Sequence, residues 1–151
     1  MRLRATMGCV EISVVRKRLQ SAMAASRELV QRRRARTAEA EKEYDRFLRE
    51  VATPVARLLV TALKAEGYTF TVFTPAGGLR LAWDRTRDDY VELGLDSSSE
   101  QPYVMGRISR TRGSRTLTEE RPIANGASPE QLTEEDVLAF LLDALGPWLE
   151  R

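Results

Sequence analysis

Histidine is absent from this 151-residue chain, and cysteine occurs once, at Cys9. Without histidine there is no Ser-His or Cys-His dyad, and the commonest general base and metal ligand are both missing. A lone cysteine closes no intrachain disulfide and builds no Cys-based structural metal site. No stretch approaches the roughly 18–20 apolar residues that span a bilayer. Behind the charged start Met1-Arg2-Leu3-Arg4, Glu11 and Arg16 interrupt any signal-like apolar run. Met7-Gly8-Cys9 invites a lipid, but Ile12 stands where the myristoylation pattern needs Ser or Thr, and no hydrophobic stretch precedes Cys9. The expectation is a cytoplasmic protein with no membrane contact, no enzyme activity, no catalytic residue, no metal and no cofactor.

Charge is present in both signs but unevenly placed. Residues 1–50 hold 13 Lys and Arg against 7 Asp and Glu, and residues 51–151 hold 11 against 15. The first net of +6 and the second of −4 sum to the chain's +2. A basic arm on a mildly acidic body is one signature of nucleic-acid or acidic-partner contact. Of the 24 basic residues only Lys17, Lys42 and Lys64 are lysines, so part of this arginine content reads as coding bias.

Glycine and proline are missing from Val10 to Val51, where strong helix formers dominate. Apolar residues recur at Ile12, Val15, Leu19, Ala22/Met23, Leu29/Val30, Ala40, Tyr44, Phe47/Leu48 and Val51, the spacing of one helical face. The stripe lapses at Arg32-Arg33-Arg34-Ala35-Arg36. Thr53-Pro54 predicts a kink or a break, since proline removes a helical N–H yet is welcome at a helix start. The stripe then continues to Gly67, a helix stop. About 42 helical residues reach roughly 60 Å, against some 35 Å for a body of about 100 residues. Such an arm has more apolar surface than its own domain covers, which points to a homodimer, with a short antiparallel or bundle contact favoured because heptads are not sustained.

After Gly67 the period changes from helical to alternating. Tyr68–Thr74, Leu79–Asp84, Tyr90–Leu95, Tyr103–Arg110 and Ser114–Glu120 read as strands with short polar turns between them, which predicts an antiparallel meander of four or five strands. Thr133-Glu134-Glu135-Asp136 reads as a capping box opening a C-terminal helix with a leucine stripe from Leu138 to Leu149. The fold class is therefore α+β: a helical arm over residues 1–66, then a sheet with a C-terminal helix over residues 67–151, forming one globular unit with 52–66.

Alternation sends Leu79, Leu81, Trp83, Val91, Leu93, Leu95, Val104 and Ile108 to one face of the sheet. Phe73, Arg80, Tyr90, Glu92, Tyr103, Met105 and Arg107 then share the other, a composition enriched in interface cores. That outer face is the candidate partner-binding surface. Arg16, Lys17, Arg18, Arg27, Arg32, Arg33, Arg34 and Arg36 are the candidate phosphate-backbone contacts, although no aromatic is interleaved for base stacking. Asp88-Asp89, Glu119-Glu120 and Glu134-Glu135-Asp136 fit turns, strand ends and a helix start. The leading expectation is a non-enzymatic protein-interaction module that forms homo-oligomers through its helices. The alternatives are a nucleic-acid-associated protein using the arginine-rich helix, and a small-molecule sensor with a pocket between sheet and C-terminal helix.

Overall fold

The computed structural model describes residues 9–150; Met1–Arg4 and Met7-Gly8 lie outside this range. The chain divides into two compact units, Met1–Arg36 and Thr37–Arg151. The second takes in residues 37–51, which periodicity alone leaves in the arm.

Helix α1 covers Ile12–Phe47. All its residues up to Arg36 are exposed, whereas Ala40, Tyr44 and Phe47 are buried. A single π turn, Leu48–Ala52, leads directly into α2, Thr53–Ala65. The expected interruption at Thr53-Pro54 thus takes the form of a widened turn. Thr53 keeps helical dihedrals and gives its N–H to Leu48 O, five residues back. Pro54, at the start of α2, has no N–H to lose. Gly67 ends the helix in a left-handed conformation (φ 92°), which an L side chain resists.

Five strands follow: β1 Phe70–Phe73, β2 Gly78–Trp83, β3 Tyr90–Asp96, β4 Tyr103–Arg112 and β5 Arg115–Pro122. Each pairs antiparallel with the next, in the spatial order β1-β2-β3-β4-β5. Short connections make this meander the natural outcome, and the tightest is Gly113-Ser114, where Gly113 takes the positive φ of 65° that a two-residue hairpin turn requires. Two 3₁₀ turns, Ile123–Gly126 and Pro129–Gln131, lead to α3, Glu134–Leu149. Its start is the expected capping box: Thr133 Oγ1 accepts from Asp136 N, and Asp136 Oδ2 accepts from Thr133 N at 3.0 Å.

The core lies on one face of the sheet. Leu79 and Leu81 of β2, Val91 and Leu93 of β3 and Val104 and Ile108 of β4 meet Val55, Ala56, Leu59 and Leu63 of α2 and Val137, Leu141, Leu145 and Trp148 of α3. Gly106 lets α3 come close: a Cβ there would lie within 2.8 Å of three ring atoms of Phe140. These side chains pack the layer between sheet and α3, and at its end a cavity of about 580 Å³ opens beside Tyr68, Trp83 and Trp148.

Candidate functional site

Three surfaces of the chain stand out, and each follows from a local pattern. The first is the uncovered apolar face of α1. Ile12, Val15, Leu19, Met23, Leu29 and Val30 are between 44% and 74% exposed. At about 100° per residue they fall within one sector roughly 120° wide, interrupted only by Ser26 and Arg33. Arg16, Arg27 and Arg34 border that sector on one side, and Arg18 and Arg36 on the other. Of the eight candidate phosphate contacts, Arg32 bonds Glu28 at 2.6 Å, one turn away. Arg16, Lys17, Arg18, Arg27, Arg33, Arg34 and Arg36 make no ion pair among the described residues and are exposed to solvent.

The second surface is the outer sheet face. Strand register places Phe73 opposite Arg80, Arg80 opposite Glu92, Glu92 opposite Arg107 and Arg107 opposite Glu120. Directly opposed residues share a face, so this row crosses all five strands on the side away from the core. Tyr90, Tyr103 and Met105 lie on the same face by strand alternation, and so all seven residues proposed from alternation come together there. Glu120 completes the row and was not among them; its partner relation to Arg107 depends on the β4–β5 register.

Much of this face is already engaged within the chain. Arg80 Nε donates to Glu92 Oε2 at 2.7 Å, and its guanidinium stacks 4.0 Å from the centre of the Tyr90 ring. Arg107 reaches Glu120 Oε1 through both Nε and Nη2. Tyr103 donates to Asp96 Oδ2 at 3.2 Å. Burial first, then the bond to Asp96, pushes the Tyr103 hydroxyl above its ordinary pKa. Asp96 is held below the ordinary carboxylate value, mainly by the Ser98 hydroxyl and then by the Ser98 N–H. Between these groups lies an open depression of about 500 Å³ floored by Gly94 and Met105. A second, of about 660 Å³, sits beside Phe73, which is 51% exposed. Cross-strand pairs of this kind hold long side chains in place.

The third surface is the β5 edge. Every residue from Arg115 to Glu120 is exposed, and β5 is the last strand of the sheet. An edge strand carries a row of unpaired backbone donors and acceptors, the template for adding another strand.

Asp89, Asp88 and Tyr44 bond within the fold. Asp89 is 1% exposed, and its carboxylate accepts from Trp148 Nε1 at 3.1 Å and from Thr111 N at 2.6 Å. Asp88 contributes its backbone carbonyl, which accepts from Ser109 Oγ. Tyr44 donates to Gly77 O at 2.9 Å, and burial raises its hydroxyl well above the ordinary value, with Asp45 and Glu92 adding to the shift. No group of three or more His, Cys, Asp and Glu suited to a metal occurs among the described residues. No helix among the described residues is long and apolar enough to cross a membrane.

Comparison with known proteins returns no family model, no curated protein and no solved structure that matches this chain.

Proposed function

We propose that this chain is a non-enzymatic protein-interaction module that associates with a second copy of itself through the apolar face of α1 and offers its outer sheet face to another protein. The observation that carries this reading is the contrast along one helix: Ala40, Tyr44 and Phe47 are at most 7% exposed, while seven large apolar residues between Ile12 and Val30, all but Val14 on one stripe, are at least 44% exposed. Surface of this kind in one stripe is a recurrent mark of an interface.

Charge selects the arrangement. Parallel helices would set Arg32–Arg36 beside the same five residues of the second copy. An antiparallel pair centred between Leu19 and Met23 instead opposes Ile12 with Val30 and Leu19 with Met23. It places Arg16–Arg18 against the neutral Ala24–Ser26, so cations face no cations. Light scattering after gel filtration at tens of micromolar, a range in which an interface worth about 7 kcal/mol is populated, is expected to give a mass above that of one chain. Leu19→Glu with Met23→Glu, on an exposed face outside the core, is expected to remove that association while leaving the thermal melt unchanged. For the sheet face, Tyr90→Ala with Tyr103→Ala is expected to abolish partner capture; retained capture counts against it.

A second reading is favoured by one specific feature, the seven candidate phosphate contacts of α1 that make no ion pair among the described residues. It makes the helix a phosphate-backbone contact with affinity falling steeply as salt rises. Arg32, Arg33, Arg34 and Arg36 changed to Gln together are expected to weaken such binding and flatten its salt dependence. Absence of binding to duplex DNA or RNA at about 50 mM salt eliminates it.

A further inference from the structure

We infer that β5 is a second self-association surface: two copies add edge to edge through Arg115–Glu119, making one continuous sheet. This goes beyond the helix contact and is independent of it. The starting observation is the length of the open edge. β5 runs for eight residues, twice the four of β1 at the opposite edge, and its first six side chains are all exposed. Leu117, 43% exposed, sits in the middle of this segment.

The occupant follows from symmetry and charge. Identical antiparallel strands related by a two-fold axis normal to the sheet must oppose residues of the same face. Few registers satisfy this. With the axis at Thr116, Arg115 faces Leu117. With the axis at Thr118, Arg115 faces Arg121 and Leu117 faces Glu119. With the axis at Glu119, two glutamates meet. Only with the axis at Leu117 does every pair match: Leu117 with the partner's Leu117, Thr116 with the partner's Thr118, and Arg115 with the partner's Glu119. Each of these is a favourable cross-strand pairing, and the two ion pairs occur symmetrically.

The side chains are available for it. Arg115 makes no ion pair among the described residues. Glu119, whose side chain is 60% exposed, makes one ion pair among the described residues, with Arg121 at 3.1 Å on its own strand. Arg121 is in turn held by Asp143 of α3 at 2.6 Å, beyond the paired segment. Glu120 faces the other way and is occupied by Arg107. Because the axis is normal to the sheet, the helices of both copies lie on the same side and the outer face doubles in width.

The test is disulfide trapping in the full-length chain with Cys9→Ser and with Leu19→Glu and Met23→Glu, so that failure of the helix contact does not bear on the result. Leu117→Cys places two thiols on the axis, at the Cα separation a disulfide accepts. Thr118→Cys separates them by about 8 Å, beyond the roughly 7 Å limit. Under mild oxidation Leu117→Cys is expected to form covalent dimer at least about tenfold faster than Thr118→Cys. Arg115→Glu or Glu119→Arg, added singly to Leu117→Cys, is expected to slow trapping about tenfold by setting like charges opposite each other. The two together are expected to restore it, and restoration also establishes that the chain is folded. Equal trapping at positions 117 and 118, no trapping at tens of micromolar, or no restoration by the double exchange overturns the inference.

Discussion

Asp89 stands beside Asp88 in the sequence, yet the two have nothing in common. Asp88 is exposed, while Asp89 is buried and clamps α3 to the sheet by accepting from Trp148 Nε1 and Thr111 N. Replacing Asp89 by alanine would leave two buried donors without an acceptor, so a loss of about 2–4 kcal/mol in chemical denaturation is expected. Asp89→Asn, whose amide accepts at one atom only, is expected to lose less. Gly106 is a second residue whose role is fixed by a distant partner. Gly106→Ala drives a methyl into the Phe140 ring, with an expected loss of about 1–3 kcal/mol. Phe140→Ala removes the clash, so the double variant is expected to be more stable than the sum of the two single losses implies; strict additivity contradicts this packing. Neither role was legible in the sequence. An acidic pair looks the same whether its second member meets water or an indole 59 residues later, and a strand glycine does not announce the ring that lies on it.

The elements were more legible, because each is set by local periodicity. Alternation from Tyr68 onward and the punctuation at Pro75–Gly78, Arg85–Asp88 and Gly113 place all five strands, and their register then assembles the outer face from Phe73 to Arg107. Glu120 is not legible from alternation within its own strand, because its membership depends on where β5 pairs with β4. At Pro54 the pattern allowed a kink or a break, and a π turn resolves it through backbone bonding that residue types do not specify. Two element-level groups give opposite pH responses. Asp96 is held below its ordinary value by Ser98 and Tyr103, so its contribution to the β3–β4 loop is present above the usual carboxylate range and lost as pH falls through the lowered value. Glu43 is raised, first by burial and then by Glu130, so its contribution is favourable below its ordinary 4.5 and lost as pH rises through the raised value. Asp96→Asn is therefore expected to remove stability at neutral pH but not in acid. Glu43→Gln is expected to raise the thermal midpoint at neutral pH and leave it unchanged in acid. Matching slopes in the two variants would contradict both assignments.

For the chain as a whole, charge and apolar surface point in different directions. The arginines of α1 draw the eye first, but they are spread around both borders of the stripe and their number fits the chain's general preference for arginine over lysine. The stripe is the narrower signal. Its residues repeat at helical spacing, they are uncovered, and an antiparallel pairing sets Ile12 against Val30 and Leu19 against Met23 without opposing like charges. Burial of about 25 cal/mol per Å² of apolar surface makes such a contact worth forming even for a short segment. Sequence period showed the stripe, while its exposure became visible only once the core had been filled by other residues.

The central claim is that this stripe is covered by a second copy. Sedimentation equilibrium of the full-length chain and of the Leu19→Glu, Met23→Glu variant, across about 1–100 µM, the range where a contact of about 6–8 kcal/mol titrates, tests it most directly. The account predicts a wild-type mass rising with concentration above the 17.1 kDa of one chain, and a variant that loses this association while melting at the wild-type temperature. A wild-type chain that stays at one-chain mass throughout, or a variant that associates as the wild type does, contradicts it.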